Sequence, residues 1–124
     1  MRVRLLEDES ILEMSNFSKN ASGLPANVWI DDSGWWKSAK HNCPRIKIQG
    51  NRSSHIDNSN LIPMSIGDNP QILISNPRNE LSDGEVNVIK KFVVKYKNQL
   101  MALAQNDGSY DFVQFVDLVR KNGI

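Results

Sequence analysis

The tetrapeptide Ser82-Asp83-Gly84-Glu85 divides this chain into two kinds of pattern. It has the form of a capping box, in which the serine hydroxyl accepts the amide three residues on and the glutamate reaches back to the serine amide. Leu81 and Val86 stand where a hydrophobic staple needs them, and Asp83 and Glu85 suit the positive end of a helix dipole. Beyond this point Val86, Ile89, Val93, Tyr96, Leu100 and Leu103 recur at helical spacing. The spacing predicts one long helix over about 83–105, roughly 33 Å in length at 1.5 Å per residue. Val94 and Met101 lie off that stripe, one heptad apart, and call for their own cover. A shorter final helix, about 110–121, follows the breaker Asn106-Asp107-Gly108 and presents Phe112, Phe115 or Val116, and Val119 as that cover. Lys121-Asn122-Gly123 ends it with a cation and a glycine.

Upstream of Ser82 the period is two. Val3, Leu5 and Ile11-Leu12-Glu13-Met14 are candidate strand residues, and residues 15–25 read as a Ser, Asn and Gly-rich loop. Val28 and Ile30 alternate against Trp29, and Asp31-Asp32-Ser33-Gly34 is a turn. The cleanest alternation is Pro44 to Gln49, with Ile46 and Ile48 facing a core and Arg45, Lys47 and Gln49 facing water, as in an antiparallel sheet with one wet face. Residues 50–60 form a second polar loop. Residues 61–66 and 71–75 read as a strand pair joined at Gly67-Asp68-Asn69-Pro70, with Pro63 on an edge or at a bulge. Strands first and helices last predict an α+β fold, a small, mostly antiparallel sheet from residues 1–75 packed against the two C-terminal helices.

The length of 124 residues suits a single domain spanning 1–124, and 40% hydrophobic with 23% charged residues is a globular composition. Net charge is only +1, but its distribution is uneven. Residues 33–54 contain no acid and five bases, Lys37, Lys40, Arg45, Lys47 and Arg52, leaving ten bases against fourteen acids elsewhere. Cys43 stands alone, the first residues are acidic, and no apolar run reaches membrane-spanning length. These features predict a cytoplasmic protein in a reducing compartment with no membrane partner. The triplets beginning at Asn16, Asn20 and Asn51 match the glycosylation pattern by chance in an Asn- and Ser-rich chain.

Three chemistries compete for the stretch around Trp35 and Trp36. The first is binding. Lys37, Lys40, Arg45, Lys47 and Arg52 can neutralise phosphates or acidic side chains, while Trp35 and Trp36 can stack on bases or anchor a protein interface. The second is acid–base cleavage of RNA without metal, with His41 and His55 exchanging protons and Lys40 steadying the phosphorane. The third is a metal site built from His41, Cys43, His55 and Asp57, whose paired spacings allow chelation from extended backbone but lack a second cysteine. No phosphate-binding glycine loop, nucleophile elbow or paired-histidine helix motif occurs, so no cofactor is expected.

His41-x-x-Pro44-Arg45-Ile46-Lys47-Ile48, followed by a capped helix, resembles a group of short uncharacterised bacterial proteins. These carry a histidine- and proline-containing strand before a C-terminal amphipathic helix, often in mobile or toxin–antitoxin-like gene pairs. His41 and Pro44 match that pattern, whereas Arg45 and Lys47 stand where the group usually has histidine. The likeness covers the layout from Val28 to Leu103 and implies an accessory protein of bacterial or phage origin with no catalytic role. The expectation is therefore a non-enzymatic binding module that engages a host protein or nucleic acid through Trp35, Trp36, Lys37, Lys40, Arg45, Lys47 and Arg52. A ribonuclease-like toxin and a homodimer closed through Val94 and Met101 are the alternatives.

Overall fold

The computed structural model describes residues 14–38 and 43–124, the side chains of Trp35 and Ser38 excepted. The strand residues expected at Val3, Leu5 and Ile11 lie outside that description. Within it the chain forms β1 (Met14–Phe17), α1 (Lys19–Ser22), β2 (Val28–Asp31), a short 3-10 helix (Trp35–Ser38), β3 (Arg45–Gln49), β4 (Leu61–Ser65), α2 (Asp83–Lys95), α3 (Lys97–Gln105) and α4 (Phe112–Asn122). The four strands make one antiparallel meander in the order β1-β2-β3-β4. This is the α+β class that the order of periods predicts.

The alternation read from the sequence sets the register. Val28 pairs with Ile48, Ile30 with Ile46, Ile48 with Ile62 and Ile46 with Met64, so these side chains share one face. Their partners come from the helices. Ile89, Phe92, Val93, Leu100, Leu103 and Phe115 are all fully buried against this face. Four aromatic rings tie the layers together: Phe17 on β1 lies 5.9 Å from Phe115 and 6.4 Å from Phe92, and Tyr96 lies 5.7 Å from Phe115. The edge-to-face tilts, 71° between Phe17 and Phe115 and 83° between Tyr96 and Phe115, set positive ring edges against negative faces.

The capping box at Ser82 is present as predicted: the serine hydroxyl accepts from Glu85 N–H at 3.1 Å, and the Glu85 carboxylate accepts from Ser82 N–H at 2.8 Å. The helix it starts is shorter than the stripe implies. Tyr96, at φ −110° and ψ 20°, leaves helical geometry and separates α2 from α3, although the apolar stripe runs unbroken through it. No proline or glycine causes the break. Tyr96 is held instead by tertiary contacts, its ring between Phe92 and Phe115 and its hydroxyl donating to the Gly123 carbonyl. Burial also pushes the phenol pKa up. Lys95 donates to the carbonyls of Asn122 and Gly123 at 3.0 and 3.2 Å, so the break region of one helix caps the C-terminus of another.

Several local expectations are corrected. Residues 15–25 are not all loop. Ser15 to Phe17 complete β1, and Lys19–Ser22 forms one helical turn capped by the Ser18 hydroxyl at one end and by Gly23, at φ +83°, at the other. Residues 71–75 do not form a strand. They contribute a single bridge, Met64 to Ile72, with Gln71 and Leu73 bonding to Ser65 and Pro63 along the outer edge of β4. Pro63 does occupy that edge strand, where its missing N–H costs least. The final helix starts at Phe112 behind an Asp111–Gln114 capping box, and it leaves Val94 39% exposed rather than covered.

The largest correction concerns the second face of the sheet. Arg45, Lys47 and Gln49 do alternate against Ile46 and Ile48, but they do not face water: Arg45 and Lys47 are each 3% exposed and Gln49 is fully buried. Trp29 and Asp31 beside them on β2, and Asn27 just before it, are buried as well. No helix among the described residues is long and apolar enough to cross a membrane.

The aromatic cluster generates a direct test. Phe115→Ala should cost about 3–5 kcal/mol, the loss expected for a fully buried ring. Val113→Ala, at a residue 68% exposed on the same helix, should stay within about 0.5 kcal/mol. Urea denaturation of the two variants measures both.

Candidate functional site

The described members of the set expected to form one basic, tryptophan-bearing surface are distributed over three places. The first is the segment after β2. Asp31 is buried, and its carboxylate accepts Ser33 N–H at 3.1 Å and Trp36 N–H at 2.9 Å, which winds the chain into the 3-10 turn. Gly34, at φ +76°, supplies the left-handed step there. The turn docks onto the end of α3: the Trp36 indole N–H donates to the Ala104 carbonyl at 2.9 Å, Lys37 Nζ reaches the Gln105 carbonyl at 3.2 Å, and Asn106 Nδ2 reaches the Ser33 carbonyl at 3.1 Å. The Trp36 and Lys37 donors meet carbonyls that the α3 C-terminus leaves without intrahelical partners, and Asn106 returns a bond to the turn. Lys37 stays exposed, with its ammonium 6.0 Å from the centre of the half-buried Trp36 ring. The Trp35 side chain and all of Lys40 lie outside the described residues.

The second place is the buried polar face of the sheet. Arg45 Nε donates to the Cys43 carbonyl at 2.9 Å, and both Arg45 and Lys47 are partnered within the fold. The two cations, one register step apart on β3, border a cavity of about 280 Å³.

The third place is the loop of residues 50–60, whose order comes from one amide. Gln49 Nε2 donates to Asn51 Oδ1, the Ser53 carbonyl and the His55 carbonyl at 2.8, 3.1 and 3.0 Å, while Gln49 Oε1 accepts from Asp57 N–H at 2.9 Å. Asn27 Nδ2 adds a bond to the same Oε1 at 3.2 Å. Asp57 accepts from the Ser59 hydroxyl and amide and from Asn51, and these bonds lower its pKa. At the loop base, Gly50 and Asn60 come so close that a Cβ on Gly50 would lie 2.7 Å from Asn60 Oδ1. Asn60 is buried and its Nδ2 is committed to the Arg78 carbonyl at 2.7 Å, so it cannot swing away freely.

Arg52 leaves this loop to meet the helix layer. Its guanidinium forms two bonds of 2.7 Å to the two carboxylate oxygens of Glu85, the geometry of a bidentate fork. Glu85 thus serves the capping box and the ion pair together. Its pKa is held down at about 2, chiefly by the Arg52 bond and then by the Ser82 amide.

The residues named for catalysis and metal binding are not assembled within the described part of the chain. His41 lies outside it, so the His41–His55 pair does too. His55 is exposed on the loop, with its backbone amide bonded to the Ser53 hydroxyl. Cys43 is half-buried, with Sγ 3.6 Å from the Pro44 carbonyl. Among the described residues no group of three or more His, Cys, Asp or Glu side chains stands close enough to hold a metal ion. What the sequence reading missed is the cavity beside Arg45 and Lys47. A signal was present in the polar runs of residues 50–60 and 75–80, which contain the side chains that close over it. Comparison with protein-family models, with curated proteins and with solved structures finds no match to this chain.

Two measurements probe this geometry. The folded-state pKa of Glu85 lies below its ordinary 4.5, so its bonds add stability that is fully present above pH 4.5 and is lost as pH falls toward about 2. Wild type should therefore lose more stability across that interval than Glu85→Gln, as read by denaturant midpoints at successive pH values. Gly50→Ala should destabilise by about 1–3 kcal/mol through overpacking. Combining it with Asn60→Ala, which removes the obstructing amide, should give a double variant more stable than the two single losses summed.

Proposed function

We propose that this protein is a non-enzymatic binding module that engages a protein partner through the surface formed by Trp36 and Lys37. The observation that carries the reading is the fixed pairing of an exposed cation with an indole on a rigid platform. Trp36 is held at its backbone by Asp31 and at its ring by Ala104, and Lys37 by Gln105. A partner meeting this surface does not have to order it first, which lowers the entropic cost of association. Tryptophan with a neighbouring cation is the composition of an interface hot spot.

The fate of the other cations favours protein over nucleic acid. A groove that tracks a phosphate backbone needs a run of accessible charges. Here Arg45 and Lys47 are buried and the exposed Arg52 is matched by Glu85, which leaves Lys37 as the exposed cation outside a salt bridge among the described members of the set. An accessory role in a phage or mobile element belongs to the same proposal and rests on the resemblance at His41 and Pro44.

The test reverses charge at the exposed Lys37 and at its sequence neighbour Lys40, and leaves the buried Lys47 in place. Lys37→Glu combined with Lys40→Glu should fold as wild type by circular dichroism and lose a protein captured by immobilised wild type from nuclease-treated bacterial lysate. Equal capture by the variant would overturn the surface. Capture that disappears on nuclease treatment would replace the protein partner with a nucleic acid.

A further inference from the structure

Residues 71–75, Gln-Ile-Leu-Ile-Ser, have the composition of a strand yet stop short of being one. Leu73 N–H donates to the Pro63 carbonyl and Ser65 N–H to the Gln71 carbonyl, both at 2.9 Å. Two such bonds flank a pair of residues whose own backbone groups point outward, so the N–H and C=O of Ile72 face away from β4. Among the described residues neither these groups nor those of Ile74 make a hydrogen bond. The side chains are equally unfinished, Ile72 being 38% and Ile74 44% exposed. An apolar edge with open backbone groups is a template for another strand, and natural edges are commonly blocked by charge or proline. Neither occurs between Pro70 and Pro77.

Two features select a second copy of this chain as that strand. An interface on a two-fold axis must be complementary to itself, and the segment is symmetric in character about Leu73. Antiparallel pairing centred there sets Ile72 against Ile74 of the second copy and Gln71 against Ser75, with no charge in the ladder. The outward backbone of Ile72 has the parity this register needs, since residues 72 and 74 form its hydrogen-bonded pairs. The second feature is the charge beside the edge. Ile72 borders a groove of about 360 Å³ together with Asp83, Val86 and Lys90 of α2. Asp83 and Lys90 lie two turns apart, about 10 Å along the helix, and among the described residues neither belongs to a salt bridge. The axis that pairs the edges also lays α2 antiparallel to its copy, which turns Asp83 of each toward Lys90 of the other. We propose that the protein forms a homodimer in which residues 71–75 of two copies pair antiparallel and continue the sheet, with the two Asp83–Lys90 pairs fixing the register. This interface shares no residue with the Trp36 surface and does not depend on the reading given for it.

Analytical ultracentrifugation of the full chain tests the proposal. Wild type at about 100 µM should sediment with twice the 14.0 kDa mass of one copy. Ile72→Lys combined with Ile74→Lys places charge on the edge and should return the mass to one copy while the circular dichroism spectrum stays native. Asp83→Lys and Lys90→Asp are the second pair of variants. Each sets like charge against like in its own dimer and should weaken self-association by about tenfold. Mixed in equal amounts, the two should recover the wild-type mass as a heterodimer, because every pair across the axis is then acid with base. A monomeric wild type, a dimer that survives both lysines, or a mixture that recovers nothing would each overturn the assignment. A dimer dissolved by Met101→Asp but left whole by both lysines would overturn it in favour of the α3 face.

Discussion

A sheet withdrawn from water on both faces has to provide for every polar group it buries. That constraint organises most of this structure. On one face the provision is simple, because Val28, Ile30, Ile46, Ile48, Ile62 and Met64 meet apolar helix residues. On the other, Asn27, Asp31, Arg45, Lys47 and Gln49 are buried, and the turns and loops around the sheet are shaped by what those side chains need. Asp31 winds the 3-10 turn that carries Trp36. Gln49 gathers the loop of residues 50–60.

The same constraint explains what could be read from the sequence. The helical layer was legible because the core stripe Val86 to Leu103 and the Ser82 capping box are local signals with a single geometric meaning. The break at Tyr96 was not, since the residue stays on the buried stripe while its backbone departs from the helix; only the ring contacts with Phe92 and Phe115 accompany the change. The Asp111–Gln114 capping box carries the same kind of local spacing, yet the sequence reading starts that helix at about residue 110 and does not single out this box. Alternation at Pro44 to Gln49 placed the isoleucines correctly, but period two states only that Arg45 and Lys47 oppose them. It does not say whether the opposite face is wet or covered. Ile72-Leu73-Ile74 misled in another way: an apolar run resembles a strand, yet Ile72 and Ile74 remain 38% and 44% exposed and only one bridge forms.

The candidate site was legible as ingredients and not as an arrangement. Clustering five cations within twenty-two residues of sequence implied one patch. Folding sends the four described ones apart because strand pleat, turn and loop point neighbouring side chains in different directions. Trp36 and Lys37 meet the end of α3, Arg45 and Lys47 enter the covered face, and Arg52 crosses to Glu85. Long-range partners of this kind, separated by 68 residues for Trp36 and Ala104, leave no trace in local spacing.

The Gln49 carboxamide limits what could replace it. Three oxygens converge on its nitrogen and two amides on its oxygen, so the donor and acceptor ends are not interchangeable. Exchanging that nitrogen for oxygen, as in glutamate, turns three attractions into repulsions without changing size. The Ser53 and His55 carbonyls and the Asp57 amide thus hang on a single carboxamide at the end of β3.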